Sequence, residues 1–448
     1  MSTDIIAAIA TAPGRGAVGI LRLSGAGAAA VAMRVTGNLP PARRTALRKF
    51  RGADGAVIDQ GIVLYFPAPQ SFTGEEIVEL QAHGGPVVLD LLLRELCAAG
   101  ARLARPGEFS ERAFLNGRLD LTQAEAIADL IDAGSEAAVK AASRSLEGEF
   151  SRRCHGIVEE LVQLRADLEA ALDFADEEVP WISSESLTTR LQSVQQQLRS
   201  LLDDAGQGRR LREGMTVAIA GRPNVGKSTL LNRLTGVDVA IVSPVAGTTR
   251  DVLREHIIMD GLPLTIVDTA GLRETDDPVE REGVARALAA LERAELALVV
   301  VDDSETSPED EQDLFRQLPC ALPTIIVRNK CDLTGQAPGR VPNGVETVEV
   351  RLSAATGSGC SELRKEIREI AGLRSNDSSL FSARTRHVEA LRLALRHLLD
   401  AEQAAPFDRA ELIAEELRQA QRELDIITGR FTPDDLLGRI FASFCLGK

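Results

Sequence analysis

Residues 215–228 read Met-Thr-Val-Ala-Ile-Ala-Gly-Arg-Pro-Asn-Val-Gly-Lys-Ser. A β-like apolar run, Met215–Ala220, passes directly into the pattern Gly221-x-x-x-x-Gly226-Lys227-Ser228, and a helical pattern follows. A strand, a glycine-bearing loop and a helix N-terminus in that order form an anion cradle. Backbone N–H groups close around phosphates and the helix end adds positive potential. The nucleotide-contacting residues predicted here are Asn224, Val225, Gly226, Lys227, Ser228 and Thr229. Lys227 neutralises the outer phosphates and serves catalysis, and the Ser228 hydroxyl ligates magnesium.

Working outward, Asp268-Thr269-Ala270-Gly271 ends a second apolar run. There an Asp can hold magnesium through water and a Gly amide can sense the γ-phosphate. Asn329-Lys330-Cys331-Asp332 ends another run, and Ser353-Ala354-Ala355 follows the last. The Asp332 carboxylate can accept from guanine N1–H and its amino group, whereas adenine offers the opposite pattern, so GTP is selected over ATP. The loop after the phosphate cradle contains Thr248 and Thr249, and a hydroxyl there, Thr249 by preference, completes the magnesium shell. Leu272 stands where a water-orienting Gln would suit, so hydrolysis must borrow a polar group, and a carboxylate of Glu274–Glu282 can serve. Asn224 offers a neutral oxygen for a monovalent cation beside the phosphates. Arg222, Arg250 and Arg273 are rival sources of that charge.

The 448 residues are too many for one ordinary domain. Residues 1–117 mix short β-like runs (Ala17–Leu23, Gly61–Phe66, Ile77–Gln81) with one amphipathic stretch, Pro86–Ala99. From Leu121 to about Ala205 the pattern is helical, and the Gly-Arg-rich stretch Gly206–Gly214 reads as a linker. Strands alternate with helices over Met215–Leu352, and helical periodicity returns over His387–Gln403, Asp408–Ile427 and Pro433–Phe441. The expectation is a multidomain α/β protein: an α+β domain over 1–117, then an all-α domain in two parts, 118–212 and 374–448. A Ras-like P-loop domain, 213–373, is inserted between those parts.

With 44% hydrophobic and 26% charged residues the chain can bury real cores. The longest apolar runs are too short to span a bilayer, and no basic leader follows Met1, which predicts a cytoplasmic protein without a membrane partner. Six scattered cysteines and five dispersed histidines favour neither disulfides nor a metal cluster. A net charge of −15 argues against non-specific nucleic-acid binding, which needs a positive field. An RNA partner must therefore meet a local patch such as Arg152–Arg153 or Arg209–Arg210–Arg212, although the sequence favours reading those stretches as solvated helix and linker surface. Past the G-domain pattern, a helical stretch closes on apolar Phe441, Phe444 and Leu446 before Gly447 and Lys448, which predicts a docked tail.

End to end, the chain resembles the MnmE (TrmE) family of tRNA-modification GTPases. The motifs that carry the resemblance include Asp4-Ile-Ile-Ala-Ala-Ile-Ala-Thr-Ala-Pro13, Gly19-Ile-Leu-Arg-Leu-Ser-Gly25 and Ser71-Phe-Thr-Gly-Glu-Glu76. Others are His83-Gly-Gly85, Pro106-Gly-Glu-Phe109, Arg112-Ala-Phe-Leu-Asn116, Gly247-Thr-Thr-Arg-Asp251, Gly438-Arg-Ile-Phe and Phe444-Cys-Leu-Gly-Lys448. The resemblance implies a homodimer formed through the N-terminal domain, which binds 5-formyltetrahydrofolate or a related tetrahydrofolate. It also implies a MnmG-type FAD protein as partner, acting with it on C5 of a tRNA wobble uridine to install an aminomethyl-type (carboxymethylaminomethyl) group. Hydrolysis would depend on potassium. Matched position by position, Asn224, Ser243, Val245 and Thr248 would surround potassium, and Ser228 and Thr249 would hold magnesium. Ser243, Thr248 and Thr249 would thereby also border the nucleotide. Glu280 falls on the water-positioning glutamate, and Arg22, Glu79, Arg118 and Lys448 would contact folate, with Cys445 in the tail motif. Arg118 replaces a frequent Lys and Leu446 a frequent Ile. Two rival readings are a ribosome-assembly GTPase, for which no basic RNA-binding module is visible, and a nucleotide-dependent scaffold.

Overall fold

The computed structural model describes residues 4–173, 184–235, 254–268, 292, 294–305, 319, 322–342, 347–372, 380–404, 409–430, 434–442, 444 and 447. The chain divides into two compact units. One comprises Met1–Ala128, Leu146–Asp173 and Ala414–Lys448, and the other Asp129–Ser145 and Phe174–Ile413.

The first unit is built on strands β1 (Ile6–Ile9), β2 (Val18–Ser24), β3 (Thr45–Arg51), β4 (Val57–Phe66), β5 (Ile77–His83) and β6 (Arg102–Leu103). Their order is β3-β4-β5-β2-β1-β6, antiparallel except for the β1–β6 pair. Alternation along β2 sends Leu21 and Leu23 into a core with Phe50, Val63, Val78 and Leu80. Val31 of helix Ala28–Thr36 and Leu89, Leu92 and Leu96 of helix Pro86–Ala98 close that core. The Pro86–Ala98 helix opens with proline at its first turn, where the missing N–H costs nothing. A second cluster, Leu121, Ala124, Ile440, Phe441 and Phe444, joins the tail to this unit, with the Phe441 ring 6.3 Å from Phe114 and 5.4 Å from Phe444.

The second unit carries β7 (Met215–Ala220), β8 (Arg254–Met259), β9 (Leu262–Asp268), β10 (Leu296–Asp302), β11 (Thr324–Asn329), β12 (Gly339–Arg340) and β13 (Val348–Arg351). The order is β12-β13-β11-β10-β7-β9-β8, with antiparallel pairing only at the two edges. All seven residues of β10 are buried, as a central parallel strand covered on both faces requires. The core lies on both sides of the sheet. Val217, Ile219, Leu298 and Val300 face one cluster, and Ala218, Ala220, Val299 and Val301 the other.

The linker expectation for Gly206–Gly214 is overturned: helix Ser184–Glu213 runs through it. Gly208 is there because the helix passes close to another segment; a Cβ on it would stand 1.9 Å from the Phe381 carbonyl oxygen. The arginines are fixed rather than solvated. Arg209 donates to Glu295 at 2.7 Å, Arg210 to the Ala371 carbonyl at 2.8 Å, and Arg212 to Asp129 at 2.6 Å. Among the described residues no helix is long and apolar enough to cross a membrane.

Candidate nucleotide-binding site

The motifs converge on the C-terminal edge of the second sheet, where open α/β sheets bind their ligands. The cradle loop leaves β7 after Ala220, and helix Lys227–Thr235 begins directly behind it. Asp268 closes β9 in register with Ile219 of β7, and Asp302 closes β10 in register with Asn329 of β11. Ser353 follows two residues after β13. The loop takes conformations that few side chains tolerate: Asn224 sits at φ 67°, and Lys330, in the second motif, at φ 68°. Gly226 must lack a Cβ, because one would stand 2.3 Å from Asn329 Nδ2.

Asn329 ties three motifs together. It is 2% exposed; its Nδ2 donates to the Val225 carbonyl at 2.8 Å, and its Oδ1 accepts from the Ala354 amide at 2.9 Å. Lys227 Nζ arches over the loop, donating to the carbonyls of Gly221 at 2.7 Å and Arg222 at 3.0 Å. Lys330 pairs with Asp302 at 2.6 Å. Burial pushes the Asp302 carboxyl up, but hydrogen bonds from Lys330 and Ser304 outweigh it and hold the group below its ordinary value. Asp332, Ser228, Thr229 and Ala355 are exposed, so their polar atoms face solvent where a ligand can reach them, while Ser353 and Ala354 are buried beneath. Such an arrangement can wrap phosphates with backbone N–H groups, add one ammonium, and offer a carboxylate to a base edge.

Two contributors escaped the sequence reading. Arg233, on the helix behind the cradle, donates to the Ala354 carbonyl at 3.2 Å and to that of Ala355, bracing the third motif from below. Asp302 anchors Lys330; its only signal was a charge ending the apolar run Leu296–Val301. Ser243, Val245, Thr248, Thr249, Thr269, Ala270, Gly271 and Glu280 lie outside the described residues, as does the side chain of Asp268.

A second constellation lies in the first unit. Arg22 of β2 and Glu79 of β5 are cross-strand partners, and Arg22 Nε and Nη2 each stand 2.8 Å from Glu79 Oε1. The guanidinium lies 5.9 and 5.8 Å from the ring centroids of Phe72 and Phe109, and its Nη1 is 3.5 Å from the Gly447 carbonyl oxygen. Arg22 is therefore a paired cation. Arg118 is exposed and runs alongside Gly74, its Cγ 3.3 Å from where a Cβ there would sit. Cys445 and Lys448 lie outside the described residues.

The chain is similar to known proteins along its whole length. A family profile described as MnmE helical domain matches residues 121–445, and one described as GTP-binding protein TrmE N-terminus matches residues 5–118. The protein named tRNA modification GTPase MnmE of Yersinia pestis bv. Antiqua (strain Angola) is 53% identical over 453 residues, covering 100% of both chains. Its namesake from Shewanella loihica is 54% identical over 454 residues, again covering 100% of both. Among solved structures, Aquifex aeolicus Era bound to GDP.AlF4- is 26% identical, with a TM-score of 0.28, over 48% of this chain and 89% of that one. The G domain of the T. maritima FeoB iron transporter is also 26% identical, with a TM-score of 0.28, over 35% of this chain and 98% of that one.

Proposed function

The chain belongs to the MnmE family of tRNA modification GTPases, and from that premise we propose that it is a potassium-activated enzyme of wobble-uridine synthesis. It hydrolyses GTP in the service of tRNA modification. The finer reading is that, with a MnmG-type FAD protein, it converts C5 of the wobble uridine to an aminomethyl-type group using a tetrahydrofolate one-carbon unit. It acts in the cytoplasm as a homodimer, and its division into 1–117, 118–212, 213–373 and 374–448 belongs to the same reading.

The observation that carries the GTP-dependent part is Asn329, which fixes the phosphate loop and the base-supporting loop at once. Lys227 binds and orients the outer phosphates. Asp332 accepts from the guanine edge, with the Ala354–Ala355 loop held beneath it by Arg233. The exposed Ser228 hydroxyl at a helix N-terminus, together with Thr249, fits magnesium, which supplies charge to the phosphates when bound. Asn224, turned into the left-handed region at φ 67°, offers an uncharged oxygen suited to potassium, with Ser243, Val245 and Thr248 completing the set. Glu280 orients the attacking water. For folate, the two aromatic rings, the Arg22–Glu79 pair and the exposed Arg118 match a flat heterocycle that carries carboxylates, and Lys448 adds a cation.

The test measures wobble-uridine modification in cells lacking the protein, after complementation with the parent chain, Lys227→Ala or Glu280→Ala. Restoration by the parent alone is expected. Full restoration by Glu280→Ala together with parental turnover would remove Glu280 from the mechanism. Equal turnover of the purified chain in sodium and potassium buffers would remove the monovalent cation.

A further inference from the structure

The first unit carries a run of charge that neither the nucleotide site nor the folate reading uses. Residues 5–53 contain eight arginines and lysines and no Asp or Glu, in a chain whose 66 acidic residues outnumber its 51 basic ones. Five of the eight, Arg43, Arg44, Arg48, Lys49 and Arg51, fall within nine positions, on strand β3 and the turn before it. Strand β3 is the outer strand of its sheet and pairs with β4, so this charge runs along the sheet's edge.

None of the five makes an ion pair among the described residues, and the side chains of Arg44 and Lys49 make no hydrogen bond there either. Arg43 donates to the Gln70 carbonyl at 3.0 Å and to the Gln70 side chain at 2.7 Å. Arg48 donates to the Asn38 and Leu47 carbonyls at 3.3 and 2.9 Å, and Arg51 to the Gly55 carbonyl at 2.9 Å. These acceptors are neutral, so they orient the guanidiniums without cancelling their charge. Carboxylates bordering the hairpin are committed to other groups. Asp54 accepts from the Ala56 amide at 2.9 Å and Glu95 from the Ala53 amide at 3.0 Å. Asp59 accepts from the His83 amide at 2.8 Å and lies 2.8 Å from that residue's ring nitrogen. Arg43, Arg44, Lys49 and Arg51 are exposed and Arg48 is half-buried. The arginine clusters at 152–153 and 209–212 differ, because Arg152 is paired with Glu149, Arg209 with Glu295 and Arg212 with Asp129.

Charged side chains on an outer strand also guard against pairing with a second sheet. Charges of either sign meet that need, and so do charges that pair with each other. Here one sign is gathered and left uncompensated, in spite of the mutual repulsion. The strand covers roughly 20 Å, and the turn before it adds two more cations at one end. A row of that length suits a polyanion rather than a small ligand. The strand's one aromatic residue, Phe50, is 0% exposed, so the row offers no ring on which a base could stack. We propose that β3 and the turn before it dock the sugar–phosphate backbone of the tRNA substrate, adding affinity without reading its sequence. The chain's net negative charge does not oppose this, because salt screens distant charges and leaves the local ones to act.

The inference rests on the tRNA-modifying reading, and the test keeps the two apart. Labelled tRNA is titrated with the full chain at several salt concentrations. The parent is compared with the triple variant Arg44→Gln/Lys49→Gln/Arg51→Gln and with the charge-preserving Arg44→Lys/Lys49→Arg/Arg51→Lys. Each lost phosphate contact removes roughly 0.7–0.9 from the slope of log affinity against log salt. The glutamine triple should therefore flatten the slope by roughly 2–3 and weaken binding roughly 10–100-fold at low salt. The charge-preserving triple should bind as the parent does. GTP hydrolysis without tRNA should be parental in both, and the melting temperature of the glutamine triple should hold or rise, because like charges have been removed. Parental affinity and slope in the glutamine triple would overturn the proposal. If that variant then fails to form a complex with the FAD protein, the edge belongs to that protein instead. A parent chain that holds no tRNA at any salt concentration, with or without the FAD protein, would overturn the tRNA-modifying reading as well.

Discussion

Asn329 and Asp332 stand three residues apart in one motif yet do different work. Both ends of the Asn329 amide are committed to the protein, to the Val225 carbonyl and the Ala354 amide, whereas Asp332 is exposed and open to a ligand. Asn329→Ala should strand two buried polar groups and lower stability by about 1–3 kcal/mol, with GTP affinity falling as the loops part. Asp332→Asn should leave the melting temperature unchanged but place an amide donor against guanine donors, weakening GTP binding by roughly 100-fold. Calorimetric titration and thermal melts decide; a parental melting temperature for Asn329→Ala would mean the brace is dispensable. In the first unit, burial raises the Glu108 carboxyl, but Arg102, the Arg105 amide and Arg112 overcome it and bring the group to about 2 from 4.5. A depressed folded pKa gives stability that is complete above the unfolded value and lost as pH falls through the folded one. Glu108→Gln should therefore be less stable than the parent at neutral pH, and the gap should close between pH 4.5 and about 2. A gap independent of pH across that window would assign the loss to packing alone. Lys227, Asn329 and Asp332 could be singled out in the sequence because each stands at a fixed place in a short motif that follows an apolar run. Arg233 could not, because it grips backbone carbonyls more than a hundred positions away, which no local pattern encodes.

At the level of elements, the strands buried on both faces were the most legible. Leu296–Asp302 is a continuous apolar run, and helix Pro86–Ala98 carries its own start signal. Strand β3 went unread because only Phe50 of its seven residues is buried and three of the others, Arg48, Lys49 and Arg51, carry an edge strand's charges. Gly206–Gly214 was misread for a more instructive reason: glycine lowers helix propensity wherever it stands, and sequence cannot distinguish a flexible glycine from one required by a neighbour. The two glycines of that helix separate these roles. A Cβ on Gly206 meets nothing within 4 Å, so Gly206→Ala should stabilise by about 1 kcal/mol through propensity. A Cβ on Gly208 would sit 1.9 Å from the Phe381 carbonyl oxygen. Gly208→Ala should therefore destabilise by about 1–3 kcal/mol despite the same propensity gain, because the backbone must move. Chemical denaturation of both variants measures the difference; a rise in both would show that the 381 segment yields freely and that the close approach has no energetic consequence.

Across the whole molecule, each unit is assembled from separated stretches of chain, and the tail shows what that achieves. Its apolar residues were legible as anchors, and Phe441 and Phe444 are buried with Leu121 and Ala124. Which strand the tail meets was not legible, because that depends on the register of a sheet some 430 residues earlier. Gly447 lies at φ 91° with Ile9 so near that a Cβ would stand 2.6 Å from its carbonyl oxygen, and the Gly447 carbonyl is 3.5 Å from Arg22 Nη1. Arg22 is already neutralised by Glu79, so on the proposed folate reading Lys448 and Arg118 are the cations that would meet the carboxylates of a folate tail. Lys448→Ala should thus weaken tetrahydrofolate binding by roughly 10–100-fold, the range expected for one charge-assisted hydrogen bond. Lys448→Arg should recover most of that loss, and neither change should alter thermal stability or GTP turnover. Gly447→Ala acts through structure instead: it strains the backbone and crowds Ile9, so the melting temperature and folate affinity should fall together. Fluorescence titration with a reduced folate, run beside thermal melts, distinguishes the two patterns. Parental folate affinity in Lys448→Ala, alongside a lowered melting temperature in Gly447→Ala, would leave the tail as a staple for the first unit and nothing more.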